Sequence, residues 1–439
     1  MNLSHDNTQV PETIKHPSLF ASVRRFFTSR PTIGDLIAGV SVALILIPQS
    51  IAYASIAGLP PEVGLFASTI PLMVAAPLVC CPWLQTGPTA MTSLLTFGAL
   101  VTTQFEKPEE MIACASMLAL IVGATRFLLG IRRLGGFTKL LTRPVILGFT
   151  TGAAILIIAS QLPKTLGIDA VDTKNVLLSA AQALSTPSKW SIETLVIASA
   201  TGVFVLFGRR IHRLFPGIFL AMIVTIVYSV LRQYEGHTVG TLPGGFISLN
   251  FEFPWHHLGS LLFPGIVLAF VGFAEPAAIS MALMEEEKKE WNPNQELCGG
   301  GLANFFSGLV GGYPIGGSFS RTSVNKFAGA DTSWSGFVTG AMILSMLWLT
   351  PYLKDLPTAA IGAVVIVAVF RLIKFKEIWL ELGQNRLNGT IAIITLVATL
   401  ASAPRVDLGI AIGAILGIGV TIWEKSTVNA EEVVKDGDD

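Results

Sequence analysis

"GGYPIGGSFSRTSVNKFAG", residues Gly311–Gly329, decides the fold. The segment is too short to cross a bilayer, opens on glycines and a proline, and carries an arginine and several hydroxyls amid apolar sequence. "WLQTGPTAMTSLLTFGAL", Trp83–Leu100, has the same make-up. Each reads as a few extended residues, a Gly/Pro turn and a half-length helix. Pro88 suits a first helical position, where its missing N–H is not needed. Thr86 or Thr89 in one segment, and Ser318 or Ser320 in the other, suit helix N-caps. Short, Gly/Pro-interrupted segments at corresponding places in two halves of a chain point to the binding site of a transporter built on an inverted repeat.

The rest of the chain agrees. Hydrophobic residues make up 51% and charged residues 13%, against about 25% charged in a soluble domain. The apolar runs Leu36–Ala57, Met111–Leu129, Ile146–Leu162 and Leu261–Leu283 reach the roughly 17–25 residues a helical crossing needs. Leu195–Phe207 and Ile218–Leu231 are shorter and need their flanks. The class is an all-α polytopic membrane protein. A net charge of +0 implies no nucleic-acid partner. No secretory signal is visible, because the first apolar run is a full-length span. Cys80, Cys81, Cys114 and Cys298 lack metal spacing and read as packing residues. The six histidines, in loops or the N-terminal tail, form no ligand set by spacing. With no clustered His/Asp/Glu, P-loop or nucleophile elbow, no enzyme and no cofactor are expected.

Orientation follows from lysine and arginine. With about 14 crossings and both termini inside, 21 of the 29 basic residues fall on inner connections, among them Arg24, Arg25, Arg126, Arg132, Arg209, Lys288, Lys326 and Arg386. Seven fall outside, and Arg321 lies within a span. This inward bias is what the positive-inside rule requires. The expected organisation is a cytoplasmic segment over 1–33, a transporter domain over 34–425 and an acidic cytoplasmic tail over 426–439.

The two halves keep nearly one offset. Thr86 and Ser318 lie 232 residues apart; Gln49, just after Pro48, and Glu275, just before Pro276, lie 226 apart. A duplicated unit of about seven spans gives that offset, with repeats over about 34–232 and 259–425. An odd number of spans inverts the second copy, so the half-helix N-termini meet near the midplane. A helix N-terminus carries free N–H groups and about half a positive charge, a ready anion site. Two opposed termini beside hydroxyls and Arg321 make a pocket for a small anion. Glu275 is the one ionisable side chain in Leu261–Leu283, and a carboxylate at that depth is functional by default.

At these residues the chain resembles a known family. "PQSIAYASIAGLPPEVGLFAS" (Pro48–Ser68) is similar to the signature of the SulP sulfate permeases, and "TGPTAMTSLL", "GFAEPAAIS" and "GGSFSRTSVN" resemble their third, eighth and tenth spans. The similarity covers about residues 30–425. It implies a seven-plus-seven inverted repeat, a gate and a core domain moving as an elevator, and an anion held between the third and tenth half-helices. Carried over singly, Gln49 and Tyr53 would line the pocket from the first span, Thr89 from the third, and Ser320 and Arg321 from the tenth; Thr86, Ser318 and Phe319, at the same helix starts, are further substrate-binding candidates from their position alone. Glu275 stands where proton-coupled members keep a carboxylate. Most members carry a cytoplasmic STAS domain; here "STVNAEEVVKDGDD" follows Lys425. The expectation is a short form, with the homodimer attributed to that domain left open.

The function expected is secondary active transport of a small inorganic anion, sulfate with a proton, across the cell membrane. The partners are the anion, H+ and the lipid bilayer. Bicarbonate, chloride or a dicarboxylate suit the same groups. A nucleobase permease would place a carboxylate where Arg321 stands, and a passive channel would use the same pocket without coupling.

Overall fold

A computed structural model describes residues 19–420 apart from 102, 104, 106–107, 137–141, 170–174, 212–213, 242–248, 250 and 418. The expected tail over 426–439 and the first 18 residues of the expected N-terminal segment lie outside the described residues.

The chain runs through α1 (Leu19–Thr28), α2 (Ile33–Ile56), α3 (Pro61–Phe66), α4 (Ile70–Ala75), β1 (Thr86–Gly87), α5 (Ala90–Val101) and α6 (Pro108–Ile131). It continues through α7 (Arg143–Leu166), α8 (Val176–Ser185), α9 (Ile192–Ile211) and α10 (Gly217–Arg232). Then come α11 (Leu258–Glu286), α12 (Pro293–Leu309), β2 (Gly316–Gly317), α13 (Phe319–Phe327) and α14 (Trp334–Met346). The last elements are α15 (Thr358–Val369), α16 (Phe375–Gln384), α17 (Arg386–Ala401) and α18 (Val406–Gly417).

Each expected apolar run is a helix, extended by a few residues at its ends. Among the described residues, six helical stretches are long and apolar enough to cross a membrane. The shorter α5, α9, α10, α17 and α18 stand among them. Both irregular segments form the expected extended piece followed by a half-length helix. β1 pairs antiparallel with β2, Thr86 opposite Gly317 and Gly87 opposite Gly316.

Packing sorts the helices into two groups. In the first, α2 packs on α3, α13 and α14, α11 on α5 and α6, α12 on α4 and α6, and α14 on α4. In the second, α7 packs on α8, α9, α15 and α17, and α15 on α9 and α10. The groups meet through α2, which touches α10 and α15, and through α5, which touches α7. Glycines make the closest approaches: a Cβ on Gly64 would meet the Ser50 carbonyl oxygen at 2.1 Å, and one on Gly148 the Ala392 carbonyl oxygen at 2.1 Å. Small residues at such crossings are how membrane helices gain contact without a hydrophobic driving force.

One buried carboxylate fixes the entry to this fold. Thr32 and Asp35 form a capping box at the start of α2. Asp35 is fully buried and also accepts from the Asp331 and Thr332 N–H groups at 3.0 and 2.9 Å and from the Thr332 hydroxyl at 2.8 Å. It thereby ties α2 to the chain between α13 and α14. Asp35→Ala strands these buried donors, and a loss of about 2–4 kcal/mol is expected, read as a lower melting temperature in detergent. Asp35→Asn, which keeps acceptor capacity at one oxygen, should lose less; equal melting of wild type and Asp35→Ala would refute the clamp.

Candidate anion-binding site

The site is built where β1 meets β2. The residues before each half-helix are extended backbone inside a helical protein, and side chains satisfy them. Asn304 accepts from the Ile315 N–H at 2.8 Å and donates to the Ile315 carbonyl at 3.1 Å. Ser307 donates to the Tyr313 carbonyl and Ser116 to the Gly312 carbonyl. On the other strand Cys81 N–H donates to Glu296, Gln85 N–H to the Thr322 hydroxyl, and Asn325 to the Trp83 carbonyl. The Ser318 N–H extends the pairing by donating to the Gln85 carbonyl at 3.1 Å.

α5 and α13 leave this junction in opposite directions. Glu110, just beyond α5, contacts His256 and His257 at the start of α11. Lys326, near the end of α13, pairs with Glu286 and Glu287 at the end of α11. The half-helices thus point to opposite ends of one 29-residue helix, with their N-termini meeting between.

Thr89 is the N-cap of α5: its hydroxyl accepts from Thr92 N–H at 3.2 Å, while the Thr92 hydroxyl accepts from Thr89 N–H at 3.4 Å. Pro88 precedes the cap and is not the first helical residue, because Thr89 already takes that role. Thr86 is a strand residue and caps nothing. Ser318 is the N-cap of α13 by backbone, with no side-chain cap bond. Ser320 sits inside the first turn.

Gln49, Tyr53 and Arg321 are buried. Arg321 Nη1 donates to Gln49 Oε1 at 3.3 Å, and Tyr53, Tyr313 and Glu275 lie within its electrostatic reach. Nε and Nη2 of Arg321 have no hydrogen-bond partner among the described residues. Glu275 lies near the start of α13, close enough to Phe319 and Arg321 to feel their charge distribution. Phe319 is 64% exposed and Ser320 is also exposed, so these two line the open side of the half-helix while Arg321 stands behind it. Gln49, Tyr53, Thr86, Thr89, Ser318, Arg321 and Glu275 therefore converge on the junction, with Phe319 and Ser320 on its open face.

Sequence reading missed several parts. Arg126, assigned to an inner connection, is instead buried within α6. Its guanidinium donates to the Ala269, Ile315 and Leu268 carbonyls at 3.0, 3.2 and 3.4 Å. The apolar residues on both sides of Arg126 carried the signal, since a cation flanked by them belongs inside the helix. Tyr313, bonded to Ser93 at 2.9 Å, and Glu296, buried behind Thr86 in a small cavity it shares with Arg126, gave no periodic signal. The junction thus holds two guanidiniums, Arg126 and Arg321, and two carboxylates, Glu275 and Glu296. The two N-termini and the uncommitted Nε and Nη2 of Arg321 can take an anion there, whereas Arg126 is spent on carbonyls.

These features define a polytopic helical membrane protein with crossed half-helices around an anion-compatible centre. The sulfate permease family pattern matches residues 33–395. The chain belongs to the sulfate permease family and is not an enzyme. It is 31% identical over 401 residues to the chloroplastic sulfate transporter 4.1 of Arabidopsis thaliana, covering 88% of this chain and 57% of that one. A probable sulfate transporter of Mycobacterium tuberculosis is 30% identical, with 89% of this chain and 70% of that one covered. The chain therefore spans little more than half the plant relative's length. In fold it is similar to the murine Solute Carrier 26 family member A9 anion transporter in the inward-facing state, at TM-score 0.85 and 19% identity over 95% of this chain and 74% of that one. The transmembrane domain of the cyanobacterial bicarbonate transporter BicA gives TM-score 0.75 and 21% identity over 88% and 97%.

Gly87 gives the site its sharpest test. Its φ is +145°, and a Cβ there would stand 3.4 Å from Arg321 Nη2. Gly87→Ala is expected to strain the junction by about 1–3 kcal/mol and to shift the guanidinium. Thermal stabilisation of the purified protein by sulfate should fall with it. Gly240→Ala is the control: φ is +80° but the added Cβ meets nothing within 4 Å, so it should lose stability and keep the sulfate response. An unchanged sulfate response in Gly87→Ala would separate the junction from binding.

Proposed function

We propose that the chain is a secondary active transporter that carries sulfate together with a proton across the cell membrane by an elevator-type alternating-access movement. The observation that carries this reading is the position of Glu275 near the start of α13, within electrostatic reach of Arg321. An ionised Glu275 draws on the positive field of Arg321 that the anion would use and repels the anion. A proton on Glu275 removes both obstacles and leaves the Arg321 guanidinium, whose Nε and Nη2 have no hydrogen-bond partner among the described residues, for the anion. Proton and sulfate then bind together better than either alone, which is the thermodynamic condition for symport. The names of the plant and mycobacterial relatives favour sulfate over other small anions.

The proposal includes about 14 membrane segments in a seven-plus-seven inverted repeat, over about 34–232 and 259–425, within a transporter domain of 34–425. Packing supports it, because contacts recur when the halves are exchanged. With α2 matched to α11, α4 to α12, α5 to α13 and α6 to α14, the pair α2–α14 answers α11–α6, α2–α13 answers α11–α5, and α4–α14 answers α12–α6. The pair α7–α17 answers α15–α9 in the same way. The elevator reading rests on the two packing groups: α2–α6 with α11–α14 carry the site, and α7–α10 with α15–α18 form the frame. The proposal puts both termini in the cytoplasm, and the basic residues on the inner connections support that orientation. Moving Arg126 from a connection to a helix interior removes one inner charge and leaves the bias standing.

In proteoliposomes, uptake of radiolabelled sulfate should rise as external pH falls. Glu275→Gln, fixed in the neutral form, should keep exchange of sulfate for sulfate and lose accumulation driven by a pH gradient. Ser320→Ala should weaken sulfate binding by about 0.5–1.5 kcal/mol and Arg321→Ala by about 1.5–3 kcal/mol. Accumulation by Glu275→Gln to the wild-type level would remove Glu275 from coupling. Wild-type affinity in both other variants would remove the site.

A further inference from the structure

Far from the anion site, the fold assembles three side chains that the sequence scatters. His256 Nε2 and His257 Nε2 lie 3.0 and 2.9 Å from the same oxygen of Glu110, Oε1. The three ligand-type atoms all lie within 4.8 Å of one another. Glu110 belongs to the first turn of α6; His256 and His257 sit in the short turn that leads into α11. The imidazoles lie side by side, ring centroids 4.2 Å apart, and Phe105 meets His257 edge-on at 6.1 Å. Glu110 and His257 are mostly shielded while His256 is 67% exposed, so the cluster has a protected base and one side open to water.

We propose that Glu110, His256 and His257 form a binding site for Zn2+ that bridges the starts of α6 and α11. Two imidazole nitrogens and one carboxylate oxygen are a three-protein-ligand zinc set, with the fourth position left to water. Zinc–ligand bonds of about 2.0–2.1 Å in a tetrahedron set ligand atoms about 3.3 Å apart. Each nitrogen, 3.0 and 2.9 Å from the oxygen, is within a few tenths of an ångström of that spacing from it. Both imidazoles bind through Nε2 with the proton on Nδ1, and each is aimed by its neighbour's packing: His257 by Phe105, His256 by His257. Imidazole and carboxylate donors suit a borderline ion such as Zn2+ better than Mg2+ or Ca2+, which prefer all-oxygen sets. The nearby Trp255, 63% exposed and adjacent to His256, reports on the site. A bound ion fastens the outer turns of the two helices that carry Arg126 and Glu275. That this end faces outward rests on the orientation proposed above; binding itself does not.

The test uses purified full-length protein with any affinity tag removed. Titration calorimetry with Zn2+ should give one tight site per chain, and melting temperature should rise with added Zn2+, as binding to the native state alone demands. Co2+ should give the intense visible absorption of a tetrahedral ion. His256→Ala with His257→Ala should weaken Zn2+ binding by roughly a hundredfold or more, and Glu110→Gln, which preserves shape, by at least about tenfold. Both variants should melt as the wild type does in chelator, which separates lost binding from lost folding. Zn2+ affinity in the double variant equal to the wild type, or no saturable binding by the wild type, would overturn the site.

Discussion

Non-helical backbone at membrane depth has no water to satisfy it, and each stranded N–H or carbonyl there costs several kcal/mol. That constraint organises this protein. The two approach segments before α5 and α13 are extended, so their polar groups need partners from elsewhere in the chain. They find some in each other, through the β1–β2 pairing. The rest come from side chains aimed for the purpose: Asn304, Ser307, Ser116 and Arg126 on one segment, Glu296, Thr322 and Asn325 on the other. Every one of those side chains is buried. The buried polarity is thus largely structural, and it leaves the half-helix N-termini pre-aimed at a common point.

Function grows from what that scaffold leaves over. Capping of α5 by Thr89 and Thr92 is a closed local arrangement. The start of α13 is open by comparison: Ser318 makes no cap bond, and Glu275 lies near it. In the proposed cycle an anion competes with the Glu275 carboxylate for this positive region, and a proton decides between them. Arg321 stands behind, anchored by Gln49, with Nε and Nη2 lacking a hydrogen-bond partner among the described residues.

Much of this was legible in the sequence, for physical reasons. Apolar runs of bilayer length must be helices, and glycine and proline with hydroxyls inside such sequence must break them. Pro48–Gln49 and Glu275–Pro276 lie inside the continuous helices α2 and α11, so these prolines do not end them. Other features depend on distant residues meeting, which no local pattern records. The register of Thr86 on Gly317 is one. The burial of Arg126 is another, because its carbonyl partners lie more than 140 positions away along the chain. Histidines that looked scattered stand beside Glu110 for the same reason, at separations of 146 and 147 residues. Phe319 and Ser320 sit beside Arg321 in sequence, yet helical rotation places them on the open face and the arginine inside.

The most direct measurement is the position of the anion itself. Selenate is isosteric with sulfate, and anomalous scattering at the selenium edge would locate it in crystals of the protein. The selenium peak is expected at the N-terminus of α13, within hydrogen-bonding reach of the Phe319 and Ser320 N–H groups and facing the start of α5. A strong peak elsewhere in the membrane-spanning region, with none at that junction, would contradict the assignment of the half-helix N-termini as the anion site.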